Sequence, residues 1–577
     1  MKKVHQKFIK TALTKNLSTG KDFLQFKKQF YSNKKLPQPT NADLREVYEK
    51  MVAQKEIKRK AELEKIMQSR LVRTQSGVAV VAVLTKPYSC PGKCAFCPTE
   101  KNMPKSYLSN EPAVMRAIMH KFNPYKQIQA RLYALMLNGH PTNKIELIVM
   151  GGTFSYFPKK YQTWFIKECF RACNEFQTKK QLDIKVLKKR FTNSINNFRT
   201  TSKDKTNNKA NLPLSIIHHQ LLKEQKRNEK SKTKIIGLTL ETRPDWINQK
   251  EITNFRQLGC TRVELGVQSI YDNILKKNRR GHYTQSTINA TRLLKEAGFK
   301  INYHMMPGLY GSSIQQDFQM FKKLFKDPDY QPDMIKIYPT VVIKGTPLYH
   351  WWKKGEYQPL DNKTFEKLVI KIKNKAIPPY VRIQRLVRDV PLPSIEAGPT
   401  ISNLRQIIAP KTNCQCIRCR EIKNDYQSQF SIQKEKIKSS NKSPGKIFLN
   451  RIDYSASGGK EIFLQFINNN NRLYALLRLR INQNITTPNS WNAIIRELHT
   501  YGKAVAIGKK DKNSPQHIGL GRKLLQQAEK IAKEELTKLN IPAKKQKIAV
   551  ISGVGVRDYY RKNGYRLLNT YMVKKLK

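Results

Sequence analysis

A chain of 577 residues exceeds what one ordinary core accommodates, so two or more domains are expected. Lys+Arg 109 against Asp+Glu 42 gives a formal charge of +67. That balance argues against an enzyme of neutral or anionic small molecules and for a polyanionic partner, with nucleic acid ahead of a membrane surface. The opening MKKVHQKFIKTALTK lacks a signal-type apolar region, and no run approaches the ~20 apolar residues of a spanning helix, so the expectation is a soluble, cytoplasmic protein.

Residues 1–75 are basic and helix-prone. Leu44 to Arg70 carries one long helical periodicity, with Pro37, Pro39, Thr40 and Asn41 punctuating its start. A solvated helix hairpin and an RNA-contacting arm are both compatible with it. From Val78 an apolar run with the β-branched content of a strand buried on both faces leads into Lys86-Pro87, and Cys90, Cys94 and Cys97 follow at once. These cysteines sit where α/β barrels place their chemistry, on the loop leaving a strand's C-terminal end. Three thiolates at this spacing can hold three corners of a [4Fe–4S] cube and leave one iron open. A zinc pair is the alternative; the preceding strand and Pro98 favour the cluster. The spacing resembles the radical S-adenosylmethionine (SAM) superfamily, in which the open iron is chelated by SAM and reductive cleavage gives a 5′-deoxyadenosyl radical.

Further apolar runs follow at Ile145–Met150, Ile235–Leu240, Arg262–Val267, Ile301–Met306 and Met334–Tyr338, separated by helical stretches, two of which end at Gly259 and Gly298. Six strands with helical crossovers read as a partial (βα)6 barrel. Each ends in polar or glycine-rich residues: Gly151-Gly152-Thr153, Glu241-Thr242-Arg243-Pro244, Gly266-Val267-Gln268-Ser269, His304-Met305-Met306-Pro307 and Tyr338-Pro339-Thr340. Such a series at strand C-termini is what a barrel site requires. Asn174 to Lys234 is Lys/Asn/Thr-rich without a core pattern and reads as a basic surface insertion.

Cys414, Cys416 and Cys419 then suggest a structural zinc whose fourth ligand is not visible, or a second iron–sulfur cluster. Asp425–Gly445 has linker composition. Beyond it come strand-like runs at Leu473–Leu479, Ile494–Leu498 and Lys547–Ser552 and an amphipathic helix to about Leu536. That helix opens at Gln516-x-x-Gly519-x-Gly521-Arg522, where backbone N–H donors at a positive dipole end suit a pyrophosphate. With the closing Tyr559-Tyr560-x-x-x-Gly564-Tyr565, the region looks like the acetyl-CoA site of a GNAT-type acetyltransferase.

The pairing of such a domain with a radical SAM barrel resembles the family of the catalytic subunit of Elongator, the tRNA wobble-uridine carboxymethyltransferases. The resemblance runs from about Leu36 to the C-terminus. It is carried by SGVAVVAV with TKP, the cysteine triad, IELIVMGGTF, LTLETRPD, CTRVELGVQS, NRRGH, HMMPGL, IKIYPT, RELHTYG, QHIGLG and IAVISGVGVRDYYRKNGYR. The compact cysteine spacings are similar to archaeal or bacterial members and imply action without other Elongator subunits. The implied fold is α/β, a partial (βα)6 radical SAM barrel followed by an α+β GNAT-type domain. Its implied regions are 1–75 (tRNA-binding), 76–400 (radical SAM, with the insertion 174–234), 401–446 (zinc-binding) and 447–577 (acetyl-CoA-binding).

The implied reaction takes a hydrogen atom from acetyl-CoA, adds the carbon radical to C5 of the wobble uridine, and gives 5-carboxymethyluridine after hydrolysis. By position, the resemblance implies Cys90, Cys94 and Cys97 as cluster ligands, and Gly151, Gly152, Glu241, Gln268 and Arg280 at SAM. For acetyl-CoA it implies Lys144, Glu497, Leu498, His499, Thr500, Leu520, Gly521, Arg522 and Tyr560. Lys86, Lys336, Tyr559 and Tyr560 are the expected catalytic residues, Cys414, Cys416 and Cys419 the zinc ligands. Partners are tRNA through its anticodon stem-loop, acetyl-CoA and an electron donor. Competing readings are a protein lysine acetyltransferase with a non-catalytic iron–sulfur barrel, and a tRNA-binding scaffold.

Overall fold

Strands with every second side chain apolar build the first sheet of the computed structural model, which describes all residues but 1, 16, 18, 69–76, 177–211, 423–446, 484–489, 503–518 and 577. Seven parallel strands pair in chain order: β1 (Ala79–Leu84), β2 (Lys144–Met150), β3 (Lys234–Thr242), β4 (Arg262–Gln268), β5 (Lys300–Met305), β6 (Met334–Ile337) and β7 (Arg382–Arg385). β1 and β7 are the two edges, so the sheet curls into an open half-barrel. β7 adds a strand to the expected six. Its sequence, RIQR, has one apolar residue and no run to reveal it.

Val81, Val83, Leu147, Val149, Leu240, Val263 and Ile335 are buried under the outer helices, among them Lys159–Glu175 with Phe165 and Phe170. The opposite face carries Glu146, Glu241, Arg262, Glu264, Asn302, His304 and Lys336. A closed barrel fills its interior with branched apolar layers; this one holds charge. β1 is not buried on both faces as expected, because it is an edge: Val80 is 44% exposed, and Val80 and Ala82 line the open lumen.

The stretch read as a surface insertion corrects in part. Residues 177–211 lie outside the described residues, but Leu214–Asn228 is a helix packed beside Lys159–Glu175, burying Ile217, Leu221, Gln225 and Asn228. Asn228 binds Asn174 and the Thr233 carbonyl through its amide, a polar core that apolar counting misses. The expected long helix from Leu44 is likewise two helices, Asn41–Ala53 and Ala61–Ile66, parted at Lys55 with φ 60°. Tyr48 accepts the Lys60 amide there, and Arg59 bridges Glu49 and Glu64 across the break. Capping boxes at Thr19/Asp22 and Thr40/Asp43 start two of the N-terminal helices, which share a core of Phe8, Phe23, Tyr31, Leu44, Tyr48 and Met51.

The second sheet has the order β13-β14-β12-β11-β10-β9-β8. Its members are β8 (Phe448–Ala456), β9 (Gly459–Ile467), β10 (Leu473–Asn482), β11 (Ala493–Thr500), β12 (Lys547–Val550), β13 (Arg566–Leu568) and β14 (Tyr571–Lys575). Four of these, β8, β9, β13 and β14, go beyond the expected runs. β11 and β12 are its parallel pair, joined only over Ala493–Ile495; past that point they part. The helix Leu520–Lys538 covers one face, burying Leu524, Leu525, Ala528, Ala532 and Leu536 against Leu477, Leu479 and Ile495. Among the described residues no helix is long and apolar enough to cross a membrane.

The two sheets are locked together by buried charge. Asp333 accepts from Arg496 at 2.9 Å, Glu461 accepts from Arg496 at 2.8 Å and Arg480 at 3.1 Å, and Lys295 lies 3.5 Å from Glu461. Asp333 and Lys295 belong to the half-barrel, the others to the second sheet. Glycines allow the backbones to meet: a Cβ on Gly553 would run into the Ile236 carbonyl. Because φ at Gly553 is −65°, alanine there is penalised by collision alone. Gly553→Ala is expected to cost ~1–3 kcal/mol, read as a lower urea midpoint.

Candidate functional site

The loop after β1 is tied down before its cysteines are used. Thr85 donates to the Met150 carbonyl, Ala95 to that of Asn278, and Leu348 to that of Ala95. This fixes Cys90, Cys94 and Cys97, each half-buried, at the mouth of a cavity of about 750 Å³ that continues down the half-barrel lumen. Gly92 donates to Cys90 Sγ at 3.5 Å, and Thr153 Oγ1 lies 3.6 Å from it. Arg280 Nη1 is 3.3 Å and Arg243 Nη1 3.9 Å from Cys94 Sγ. Two guanidiniums beside a half-buried thiol suit an anionic, thiolate-ligated group. Burial and the neighbouring Cys94 push the Cys97 thiol up to about 11.

Below the thiols the lumen holds one connected polar cluster. Glu264, fully buried on β4, receives Asn302 Nδ2 at 3.1 Å, His304 Nε2 at 2.8 Å and the Lys336 ammonium. Despite burial, Lys336 and His304 hold its carboxyl well below the usual range. Lys336 also stands 3.9 Å from Glu241, which accepts from Tyr107 at 2.7 Å. Burial, opposed by Lys336, raises Glu241 to about 7. Glu241, Glu264 and His304 could themselves hold a metal ion by proximity, but the Lys336 ammonium already supplies their counter-charge. His304 is pulled down to about 4 by burial and by Lys336, so its imidazole is neutral.

The expected SAM residues converge on this cavity. Gly152, Glu241, Gln268 and Arg280 line it. Gly151 and Gly152 have φ of 130° and 98°, and a Cβ on Gly151 would strike Thr85. Gln268 is itself at φ 70°, and its buried Oε1 has no partner. Lys336 lines the same cavity. Lys86 does not: it is exposed, its ammonium 5.1 Å over the Tyr161 ring.

The acetyl-CoA candidates divide. Gly521, Tyr559 and Thr500 come together; a Cβ on Gly521 would be 3.4 Å from Tyr559 Oη and 3.5 Å from Thr500 Cγ2. They meet where β11 parts from β12, next to Leu520 and Arg522 in the first helical turn after left-handed Gly519. Leu498 and His499 lie on the same diverging stretch, where Glu497–Thr500 have no β12 partner. Gln516 lies outside the described residues. Tyr560 is a correction: it packs in the second sheet's core against Tyr565, 6% exposed, while its neighbour Tyr559 is 39% exposed. One helical turn cannot aim successive side chains the same way. The Glu497 carboxylate is also taken, by Arg478 at 2.9 Å and Lys300 at 3.1 Å. Lys144 is exposed at the N-terminal end of β2, opposite the cysteine end of the barrel.

Cys414, Cys416 and Cys419 bring their sulfurs within 4.8 Å of one another and could hold a metal ion. Cys416 is drawn well below the usual thiol range by hydrogen bonds from the other two. Residues missed by sequence reasoning are Glu264, Tyr107 and Arg388. Glu264 had a signal: Arg262, Glu264 and Gln268 alternate with Val263, Leu265 and Val267 along one run.

Family models match twice: the Radical SAM superfamily over residues 86–321 and the Radical_SAM C-terminal domain over 332–413. The chain is 42% identical over 530 residues to the tRNA uridine(34) acetyltransferase of Methanocaldococcus infernus, covering 89% of this chain and 88% of the relative. It is 35% identical over 528 residues to Elongator complex protein 3 of Homo sapiens, covering 89% and 86%. The solved archaeal Elp3 of Methanocaldococcus infernus, with residues 1–46 deleted, superposes with a TM-score of 0.67 at 40% identity, covering 87% of this chain and 100% of that one. A radical SAM half-barrel with its cysteine loop, a second mixed sheet and relatives matched nearly end to end lead to one statement: the chain belongs to the family of tRNA uridine(34) acetyltransferases and Elongator complex protein 3.

Proposed function

We propose that this protein is a tRNA-modifying enzyme that carboxymethylates C5 of the wobble uridine, using SAM-derived radical chemistry and acetyl-CoA. The observation that carries this reading is the coexistence of two complementary sites in one locked unit. One is the cysteine-mouthed polar lumen; the other is the opening between β11 and β12 with Gly521, Tyr559 and Thr500 at its edge. The family membership points to uridine 34 of tRNA, and the +67 charge supplies a hold on phosphates that salt weakens steeply.

Membership of the radical SAM superfamily implies a [4Fe–4S] cluster and SAM, and the residues fit both. Cys90, Cys94 and Cys97 would ligate the cluster. Arg243 and Arg280 would balance its charge, and Gly151 and Gly152 would let backbone approach SAM, with the unpartnered Gln268 Oε1 free to accept a hydrogen bond. When bound, this pair supplies a 5′-deoxyadenosyl radical. The chain's own residues do the rest. The lumen shields the reacting carbon, Lys336 offers a positive charge toward an acetyl carbonyl, and Tyr559 offers a hydroxyl near the thioester. An anticodon loop presents an unpaired base that can be splayed into such a cavity.

The reading extends to the remaining regions. Residues 1–75 form a tRNA-binding region, and Cys414, Cys416 and Cys419 in the 401–446 segment hold a structural zinc. The GNAT-type domain spans 447–577, with backbone groups of Glu497 to Thr500 lining the pantetheine arm. Mass spectrometry of tRNA nucleosides after anaerobic incubation with SAM, acetyl-CoA and reductant tests the reading. The expected result is 5-carboxymethyluridine at position 34. Acetylated protein lysines with unmodified tRNA, from protein with a verified cluster, would favour an acetyltransferase of proteins instead.

A further inference from the structure

Joining a carbon to C5 of uracil creates an sp³ centre that still carries its hydrogen, so the ring regains its double bond only by losing one electron and one proton. The C5–H electron pair becomes the C5–C6 π bond, the electron passes to a one-electron acceptor of the iron–sulfur class, and the proton needs a base inside the cavity. We propose that His304 is that base, taking the C5 proton on Nδ1 while Glu264 acts as the positioning residue that fixes its tautomer. This rests on the carboxymethylation reading above.

The lining of the lumen narrows the choice. Arg280, Arg385 and Arg388 are donors only, and Lys336 is held protonated between Glu264 and Glu241. Glu264 has both oxygens engaged, by Asn302 on one side and His304 with Lys336 on the other. Tyr338 is held protonated by burial. His304 differs from all of these. Its Nε2 lies 2.8 Å from the anionic Glu264, so Nε2 carries the hydrogen and Nδ1 carries the lone pair. The ring stands edge-on to Tyr338, with centroids 5.6 Å apart, and its remaining 16% exposure lies on the cavity. A carboxylate behind a neutral imidazole orients it and steadies the imidazolium that forms, as in hydrolytic triads. The oxidised adduct is a strong carbon acid, so a weak but correctly protonated base suffices.

Glu111 accepts from the Leu108 amide and pairs with Arg388, Asp389 pairs with Arg385, and Glu241 is the rival. It lies in the same cluster, but Tyr107 donates to its carboxylate and Lys336 stands beside it.

The test uses the full-length, cluster-loaded protein with [methyl-²H₃]acetyl-CoA and tRNA carrying [5-²H]uridine at position 34. His304→Gln keeps a donor toward Glu264 but has no basic nitrogen. Expected is deuterium transfer into 5′-deoxyadenosine within about threefold of wild type, with 5-carboxymethyluridine falling about 10²–10⁴-fold, the range of general base catalysis. Residual turnover should show a primary isotope effect from the C5 deuterium that wild type lacks. Product formation within about threefold of wild type, or the isotope signature in Glu241→Gln and not in His304→Gln, would overturn the assignment. Absence of deuterium transfer in wild type overturns the reaction reading itself and this inference with it. Independently of turnover and of variant folding, ¹⁵N NMR of the wild-type protein should find His304 with a pyridine-type Nδ1 at neutral pH; an Nδ1–H tautomer also overturns it.

Discussion

Replacing Cys94 by alanine is expected to abolish cluster loading and reduce 5′-deoxyadenosine formation to background. Cys94 is the thiol nearest to both Arg280 and Arg243, and no other sulfur in the mouth can take its corner, because the loop is pinned through Ala95 to Asn278 and Leu348. Iron and acid-labile sulfide content, with the visible absorbance after anaerobic reconstitution, read the first half of this expectation; liquid chromatography of 5′-deoxyadenosine reads the second. Acetyl-CoA affinity should be unchanged, since Gly521, Tyr559 and Thr500 belong to the other sheet. A Cys94→Ala protein that keeps a full cluster would show that the triad does not ligate it.

The second large effect is on stability. Arg496 is fully buried between Asp333 of the half-barrel and Glu461 of the second sheet. Arg496→Met leaves both carboxylates short of their main partner, and stripping one member from a buried ion group costs ~3–5 kcal/mol. Urea unfolding should show that loss, and the transitions of the two sheets should separate. The same cluster gives a pH dependence. Its cations draw Glu461 down to about 2 from an ordinary 4.5, and hold Asp333 lower still. A carboxylate depressed on folding adds stability that is fully present above its unfolded value. Stability should therefore be level above about pH 5 and fall as pH drops from 4.5 through about 2. In Arg496→Met that acid limb should still begin near pH 4.5 but end at higher pH and be shallower.

What the sequence revealed follows from how local each determinant is. Cys90, Cys94 and Cys97 lie within one loop, and their chemistry is visible in their spacing. The strand ends are legible too, since β3, β4 and β5 each run straight into the residues that line the cavity. The lock between the sheets is invisible by comparison, because Asp333 and Arg496 are 163 positions apart and each looks like an ordinary surface charge. Tyr559 and Tyr560 read as one aromatic pair, yet a helical step turns one outward and sends one to the core. Glu264 was within reach of period-two reasoning, but a charge amid RVELGVQ reads first as a strand interrupted by chance. β7 and the split of the helix after Ala53 had no such signal: the former is too short and polar, the latter is set by the distant hydroxyl of Tyr48.

On the proposed reaction, one lumen activates the methyl group of acetyl-CoA and delivers it to uridine. Incubating the reduced, cluster-loaded protein with [methyl-²H₃]acetyl-CoA, SAM and tRNA, then measuring both products by mass spectrometry, tests it most directly. The proposed reaction leaves one deuterium in 5′-deoxyadenosine and two in the carboxymethyl group of uridine 34. Unlabelled 5′-deoxyadenosine, or a modified uridine retaining all three deuteriums, would contradict it.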